Sequence, residues 1–350
     1  SSWLQELPDP VSKLVWDNAA VMGPKTAKAA NLEEGDQLTI QAADRKPVTA
    51  IVLVQPGTAP GVVALTLGHG RTFTLALPEI EGFNVAPLMG RGGKAPTPWL
   101  HLEASLSPAQ GTRELVRIQK YFDMKGRAIV LHGTAQEYAK DPEFVKKHLH
   151  LPEKIQLHDE YDYTKFPKWA MAIDLNACTG CGACMISCQA ENNIPIVGKE
   201  ECGLGREMSW MRIDRYHGGD EENPHVYNQP MLCQHYDNAP CESVCPVNAT
   251  AHSQEGLNEQ VYNRCVGTRY CANNCPYKVR RFNFYNYTGR LHKDPVQELA
   301  YNPQVTVRSR GVMEKCTFCV QRINEEKFKQ KNKGEAIPDG AIQPACAQSC

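Results

Sequence analysis

The sequence predicts an α+β chain in two parts: a small β-barrel, then a domain of cysteine loops, short strands and brief helices. All fifteen cysteines lie between Cys178 and Cys350, and the first 177 residues have none. The first 90 residues instead carry short β-branched runs divided by Gly and Pro turns, the pattern of a small barrel.

Within residues 1–90, Pro24 to Ala30 suits one or two helical turns. Gly35-Asp36 turns the chain into an alternating strand over Gln37 to Ile40. Val48 to Val54 is a second strand, ended by Gln55-Pro56-Gly57, and Val62 to Leu67 a third, ended by Gly68-His69-Gly70. Residues 91–165 read as an irregular connection, with Gly92-Gly93, Pro96, Pro98 and Pro108 early and a short helix around Asp141 to His148. His148 and His150 read as solvated surface residues. From residue 166 to residue 350 the cysteine domain follows, with strands expected at Trp169–Asp174, Met208–Asp214 and Val305–Arg308.

A formal net charge of −1 gives no support to nucleic-acid binding. No stretch approaches the roughly 18–20 continuous apolar residues of a membrane-spanning helix, so the chain itself is not expected to cross a membrane. Ser1 is not an initiator methionine, no secretory leader is visible, and the last residue, Cys350, is a candidate ligand. The chain reads as a segment of something longer.

The chemistry lies in the cysteine spacing. Cys178-x2-Cys181-x2-Cys184-x3-Cys188 is the bacterial ferredoxin run, in which three thiolates wrap one iron–sulfur cube and the fourth ligates its neighbour. Gly180 and Gly182 let the backbone approach the cluster. Disulfides suit distant cysteines better than these tight runs. Zinc would need four thiolates on one ion, commonly from two separated pairs. Cys316-x2-Cys319, then Cys346-x3-Cys350, is the same run stretched by an insertion over Val320 to Ala345. Arg322, Lys327, Lys329, Lys331 and Lys333 make that insertion basic, which reads as a solvated helix face.

Two further runs each lack one member. Cys233, Cys241 and Cys245 have Tyr236 where a cysteine is expected, and Cys265, Cys271 and Cys275 have Thr268. Crossing the fourth ligands gives two pseudo-symmetric two-cluster modules. In one, Cys178, Cys181, Cys184 and Cys350 hold a [4Fe-4S] cluster, and Cys316, Cys319, Cys346 and Cys188 hold another. In the other, Cys233, Cys241 and Cys275 leave the Tyr236 position vacant, and Cys265, Cys271 and Cys245 leave the Thr268 position vacant. A cube lacking one protein ligand readily loses that iron, so two to three [4Fe-4S] and one to two [3Fe-4S] clusters are expected. Cys202 is left over and reads as a buried or loop thiol. The run Lys278 to Arg281, with Phe282, Phe284, Tyr285 and Tyr287 after it, is either packing plus surface charge or a positive collar raising cluster potentials.

On these residues the chain resembles the four-cluster ferredoxin subunits of molybdopterin-type oxidoreductases, such as polysulfide, dimethyl sulfoxide and nitrate reductases. The resemblance rests on Cys178 to Cys184 through Glu191-Asn192-Asn193, Asn238 to Pro246, Arg269-Tyr270-Cys271, Cys275-Pro276-Tyr277 and Glu314 to Cys319. Upstream, Trp16 to Ala20, Pro24 to Ala27 and Glu34-Gly35-Asp36 are similar to the double-psi, pterin-binding barrel of molybdopterin enzymes. Barrel and ferredoxin in this order resemble the iron–sulfur subunit of bacterial alternative complex III. That resemblance implies electron relay in a quinol:cytochrome c oxidoreductase on the periplasmic face of the inner membrane. It implies multihaem and monohaem cytochrome c subunits and polytopic quinol-binding membrane subunits as partners. It implies no molybdenum, no pterin site and no substrate-converting site in this chain; Asn18 and Thr26 are the pterin contacts the resemblance would otherwise suggest. It also implies three [4Fe-4S] clusters and one [3Fe-4S] cluster, and Thr268 fits the three-iron site. At Tyr236 two readings stay open: a second three-iron cluster, or a fourth ligand from another group such as His235. The alternative function is electron feeding to an active molybdenum reductase.

Overall fold

The structure, a computed structural model, describes residues 1–43, 45–70, 82–89, 102–149, 152, 153, 155, 159–289 and 295–350. His150, the Gly92-Gly93 pair, Pro96 and Pro98 lie outside the described residues. The chain forms two compact units. The first comprises Ser1–Tyr121 with Val197–Gly205 and His217–Val226, and the second comprises the remainder.

The first unit holds α1 (Ser2–Glu6), β1 (Ala20–Met22), α2 (Pro24–Ala29), β2 (Asp36–Gln41), β3 (Val48–Val54), β4 (Val63–Leu65) and β5 (Ser105–Thr112). The strands make one sheet in the order β4-β1-β3-β2-β5. Strands β1 and β3 run parallel and the other pairs antiparallel. The near-continuous apolar run of β3 follows from its central place, because both its faces are covered. Val48, Ala50 and Val52 join Met22, Leu38 and Ile40 on one side, and Ile51 and Leu53 join Leu14, Ala19 and Leu115 on the other. Strand β5 falls where an irregular connection is expected. It is an edge strand, mostly exposed, with Pro108 opposite Leu38 and a register shift between Asp36 and Leu38. Proline is tolerated on a sheet edge, so Pro108 does not end the strand.

Glu6 pins part of this unit. Its buried carboxylate accepts from Trp16 Nε1 (3.2 Å), Val197 N (3.0 Å) and Gly198 N (2.9 Å). Burial outweighs these bonds and raises the carboxyl from 4.5 to about 7. The folded state then binds this proton more tightly than the unfolded chain. Stability should therefore be greatest below pH 4.5, fall as pH rises towards 7, and level off above it. The loss should be about 3 kcal/mol. Urea unfolding at pH 5 and pH 8 checks this, with Glu6→Gln expected to flatten the dependence. An equal slope in the variant would assign the effect elsewhere.

In the second unit α3 (Ala135–Lys140) starts from a capping box in which Thr134 Oγ1 accepts from Glu137 N and Glu137 accepts from Thr134 N. Then come α4 (Phe144–His148) and α5 (Ala183–Glu191). Next is α6 (Lys199–Gly203), which belongs to the first unit. After it come β6 (Arg212–Gly219) and β7 (Pro224–Met231), of which His217–Gly219 and Pro224–Val226 belong to the first unit, and then, in the second unit, α7 (Pro240–Ser243), β8 (Thr250–His252), β9 (Asn258–Gln260), α8 (Tyr270–Asn273), β10 (Arg281–Phe282), α9 (Pro295–Glu298), β11 (Met313–Glu314), α10 (Val320–Lys333) and α11 (Ala345–Gln348). Strands pair as β6-β7, β8-β9 and β10-β11.

Two expected strands are not strands. Trp169–Asp174 has no ladder partner: Trp169 and Met171 pack on Leu257, Phe318 and Ile323, and Trp169 Nε1 donates to Glu255 at 2.9 Å. At Val305–Arg308 side chains replace a ladder. Asn193 Nδ2 donates to the carbonyls of Asn302 (2.9 Å) and Val305 (2.7 Å), and Thr288 Oγ1 to that of Arg308 (3.2 Å). The strand expected at Met208–Asp214 begins at Arg212. The basic insertion is α10, which turns Ile323 and Gln330 inward. Its Arg322 is not merely solvated: it grips Glu191 at the end of α5 through Nε (3.0 Å) and Nη2 (2.8 Å). The overall class is mixed α+β.

Candidate metal centres

Each cysteine loop is shaped by residues in the left-handed region. Gly180 and Gly182 have φ of 73° and 78°, and Gly182 opens α5, which carries Cys184 and Cys188. A Cβ at Gly180 would stand 2.8 Å from Asn228 Oδ1, so the loop needs glycine there. Arg269 and Cys319 take the same conformation at the starts of α8 and α10. Asn248 and Lys278 take it three residues beyond Cys245 and Cys275, which makes the two proline-bearing loops conformational copies.

The thiols gather in four sets. Cys188, Cys316, Cys319 and Cys346 line one cavity with Met171, Asn192 and Trp210. Cys245, Cys265 and Cys271 line a second with Thr268 and Arg269. Cys181 and Cys350 lie near enough to Cys184 to help raise its thiol. Cys178 is three residues from Cys181 in the same loop. Cys233, Cys241 and Cys275 surround the Tyr236 ring and raise its phenol after desolvation, to about 12. Tyr236 thus stands beside three cysteines, as Thr268 does in the cavity of Cys245, Cys265 and Cys271.

The donor chemistry suits iron–sulfur clusters. Burial first, then neighbouring cysteines, push Cys184 up to about 11, and burial with Cys233 leads the rise of Cys316 to about 12. Buried thiols that repel one another as anions are held as thiolates when a cationic core lies between them. Their hydrogen bonds point the same way. Ala249 N donates to Cys245 Sγ at 3.2 Å, Phe318 N to Cys316 Sγ at 3.4 Å and Ala345 N to Cys319 Sγ at 3.4 Å. Among the described residues no three His, Cys, Asp or Glu side chains close on a single ion. Thiolates on separate irons of a cube stand further apart than thiolates sharing one zinc. None of the fifteen cysteines forms a disulfide.

Two other sequence candidates are placed elsewhere. Cys202 is buried on α6 in the first unit and hydrogen-bonds Glu6. His235 Nδ1 accepts from Asn258 N at 3.1 Å, which puts the ring proton on Nε2, and the ring packs edge-on to Phe318. Neither nitrogen of that tautomer offers a free lone pair to iron.

The loop spacing missed three polar residues. Asn192 Nδ2 lies 3.6 Å from Cys188 Sγ and 3.9 Å from Cys319 Sγ, and Asn258 Nδ2 lies 3.6 Å from Cys241 Sγ. Lys315 is fully buried, donates to the Cys316 carbonyl at 2.7 Å, and acts electrostatically on both Cys316 and Cys241. Asn192 stands four residues beyond Cys188, one turn along α5, and Lys315 directly precedes Cys316; these adjacencies are the only sequence signals.

Short cysteine loops that bring buried and half-buried thiols together in this way define a ferredoxin-type iron–sulfur protein. The family described as a 4Fe-4S dicluster domain matches residues 177–249. Over 188 residues the chain is 41% identical to the menaquinone reductase iron–sulfur cluster-binding subunit of Nitratidesulfovibrio vulgaris, covering 52% of this chain and 72% of that protein. It is 37% identical over 199 residues to the Hdr-like menaquinol oxidoreductase iron–sulfur subunit 1 of Archaeoglobus fulgidus, covering 52% of this chain and 66% of that one. It is 32% identical over 183 residues to a tetrathionate reductase subunit of Salmonella typhimurium, covering 52% and 54%. The chain therefore spans less than two thirds of the last two relatives. It belongs to the family of iron–sulfur electron-transfer subunits of menaquinone-linked and molybdopterin-type oxidoreductases. Among the described residues no helix is long and apolar enough to cross a membrane.

Proposed function

We propose that this chain is the electron-relay subunit of a quinol:cytochrome c oxidoreductase of the alternative complex III kind, seated on the periplasmic face of the inner membrane. The observation that supports the relay is the electrostatic coupling between thiols of successive sets. Cys184 of the first neighbours Cys346 of the second, and Cys316 of the second neighbours Cys233 of the third. Cys241 of the third and Cys271 of the fourth share one guanidinium, that of Arg280. When bound, iron–sulfur clusters supply one-electron redox centres. The chain's own residues hold them in sequence, exclude water and donate the hydrogen bonds that set each potential. The name of the Archaeoglobus relative, a menaquinol oxidoreductase subunit, favours a quinol donor; that of the Nitratidesulfovibrio relative, a menaquinone reductase subunit, names the same couple run in the other direction. Multihaem and monohaem cytochromes c would accept the electrons, and polytopic subunits would bind the quinol.

In this reading the first unit is a barrel that has lost its pterin. Asn18 donates to the carbonyls of Thr66 and Phe83, both at 3.0 Å, and accepts from Phe83 N at 2.9 Å. Thr26 Oγ1 accepts from Gly61 N at 2.9 Å. Both side chains serve their own backbone and leave little for a ligand.

The purified complex should contain about 14 to 16 irons per copy of this chain, no zinc and no molybdenum. Its clusters should be reduced by added quinol within a turnover. Eight or fewer irons would sink the four-cluster reading. Stoichiometric molybdenum would move the chain to the electron-feeding role in a polysulfide or dimethyl sulfoxide reductase.

A further inference from the structure

Arg280 is only 7% exposed. Its Nη1 donates to Gln260 Oε1 (2.8 Å) and Thr250 Oγ1 (3.2 Å), and its Nη2 to Asn258 Oδ1 (2.8 Å) and Cys241 Sγ (3.1 Å). Its charge also acts on the Cys271 thiol, opposing the rise that burial gives it. Thr250, Asn258 and Gln260 on β8 and β9 are themselves buried, and every one is neutral. Among the described residues no carboxylate forms an ion pair with Arg280. A guanidinium is charged at any working pH, and burying it beside neutral groups alone costs several kcal/mol. The nearby groups able to carry its counter-charge are sulfurs: Cys241 and Cys233 of one three-cysteine set, and Cys271 of the other.

We infer that Arg280 is the shared counter-cation of the two three-cysteine cluster sites and holds both at a raised reduction potential. Adding an electron makes a cluster more anionic, and a fixed positive charge in a low-dielectric interior favours that state. One guanidinium, bonded to Cys241 and acting electrostatically on Cys271, favours reduction at both sets. Its planar fork spreads the charge over separate nitrogens, one bonded to Cys241 and Asn258 and the other to Gln260 and Thr250. Lysine occupies the preceding junction, where Lys315 faces Cys316 and Cys241. The sequence left Arg280 undecided between surface charge and a collar. Burial settles that it is not surface charge, and the hydrogen bonds single it out from Lys278, which is exposed and donates from Nζ to the Asn273 carbonyl at 2.7 Å.

This inference rests on the electron-relay reading. Its test is redox titration of the intact complex followed by low-temperature EPR, comparing wild type with Arg280→Met and Arg280→Lys. In Arg280→Met the couples of the two three-cysteine sites should fall. At the wild-type midpoint their reduced-to-oxidised ratio should drop at least tenfold, about 59 mV for one electron. The couples of the two four-cysteine sites should stay in place, and Arg280→Lys should restore most of the shift. Unmoved three-cysteine couples, an equal shift of all four, or a lysine variant matching the methionine one would overturn the assignment. Should Arg280→Met lose iron, Arg280→Lys decides: both clusters at near-native potentials support the charge, and lost or displaced clusters refute it. A wild-type complex with no iron–sulfur signal would overturn the relay reading itself, a result distinct from any failure at Arg280.

Discussion

Glu314→Ala should destabilise the cysteine domain by about 3–5 kcal/mol, the range for removing one partner of a buried ion pair. The Glu314 side chain is fully buried and that of Arg308 is 1% exposed. The carboxylate accepts from Arg308 Nη2 (2.8 Å), Trp210 Nε1 (2.9 Å) and Asn283 Nδ2 (2.7 Å). Without it the indole loses its acceptor and the carboxamide keeps only the Val312 carbonyl at 3.4 Å, while the guanidinium is left with the faces of Trp210 (5.0 Å) and Tyr262 (5.7 Å) and the more distant Cys188 sulfur. The double variant Glu314→Met with Arg308→Met should be milder than Glu314→Ala, because a buried pair replaced by apolar groups of similar size leaves no stranded charge. Urea unfolding of the three proteins checks this. Glu314 also stands on β11, two residues before Cys316. The variant should therefore release iron from the Cys316 set before the others, read as lost absorbance on mild heating. A loss below 1 kcal/mol would mean that the domain is held chiefly by its clusters.

Neither Glu314 nor Arg308 is legible as a pair in the sequence, because nothing in six residues of spacing says that both are buried. The cysteine loops are legible for the opposite reason. Short-range ligand geometry dictates spacing, so Cys178 to Cys188 can be read without knowing the fold. The grouping of Cys350 with Cys184, or of Cys188 with Cys316, depends on a rule for crossing ligands, and the structure brings those residues together. In the first unit β2 and β3 are legible because their burial leaves a pattern, one-sided in β2 and two-sided in β3. Strand β5 is not, since an edge strand exposed on most positions carries no apolar period and tolerates Pro108. Trp169–Asp174 fails the other way. Its apolar alternation comes from packing on Phe318 and Ile323, which requires burial and no ladder. Positive φ at Arg269, Lys278 and Cys319 is invisible to composition, because tight loops over a cluster force it on residues that do not prefer it.

Thr268→Cys should convert its site from a three-iron to a four-iron cluster. The cavity that Thr268 shares with Cys245, Cys265 and Cys271 also includes Gly267 and Arg269. Three thiolates there leave one cube corner without a protein ligand, and a neutral hydroxyl whose proton is not lost near neutral pH does not replace a thiolate. A cysteine at the same backbone position supplies the fourth sulfur with little change in volume. Oxidised wild-type complex should then show the EPR signal of a three-iron cluster, and the variant should lose it while gaining one iron per chain. The potential should fall, because the extra thiolate adds negative charge and the cluster type changes. Quinol, a weak reductant, should then load the site more slowly, so turnover with quinol should drop while the unfolding midpoint stays put. The Tyr236 set supplies an internal control: Tyr236 stands among Cys233, Cys241 and Cys275 as Thr268 stands in its own set, and its signals should not move when only Thr268 is changed. A three-iron signal that survives unchanged in Thr268→Cys would place the three-iron cluster in the Tyr236 set instead. Its absence from intact wild-type complex would mean that the assignment of Thr268 to a three-iron site is wrong.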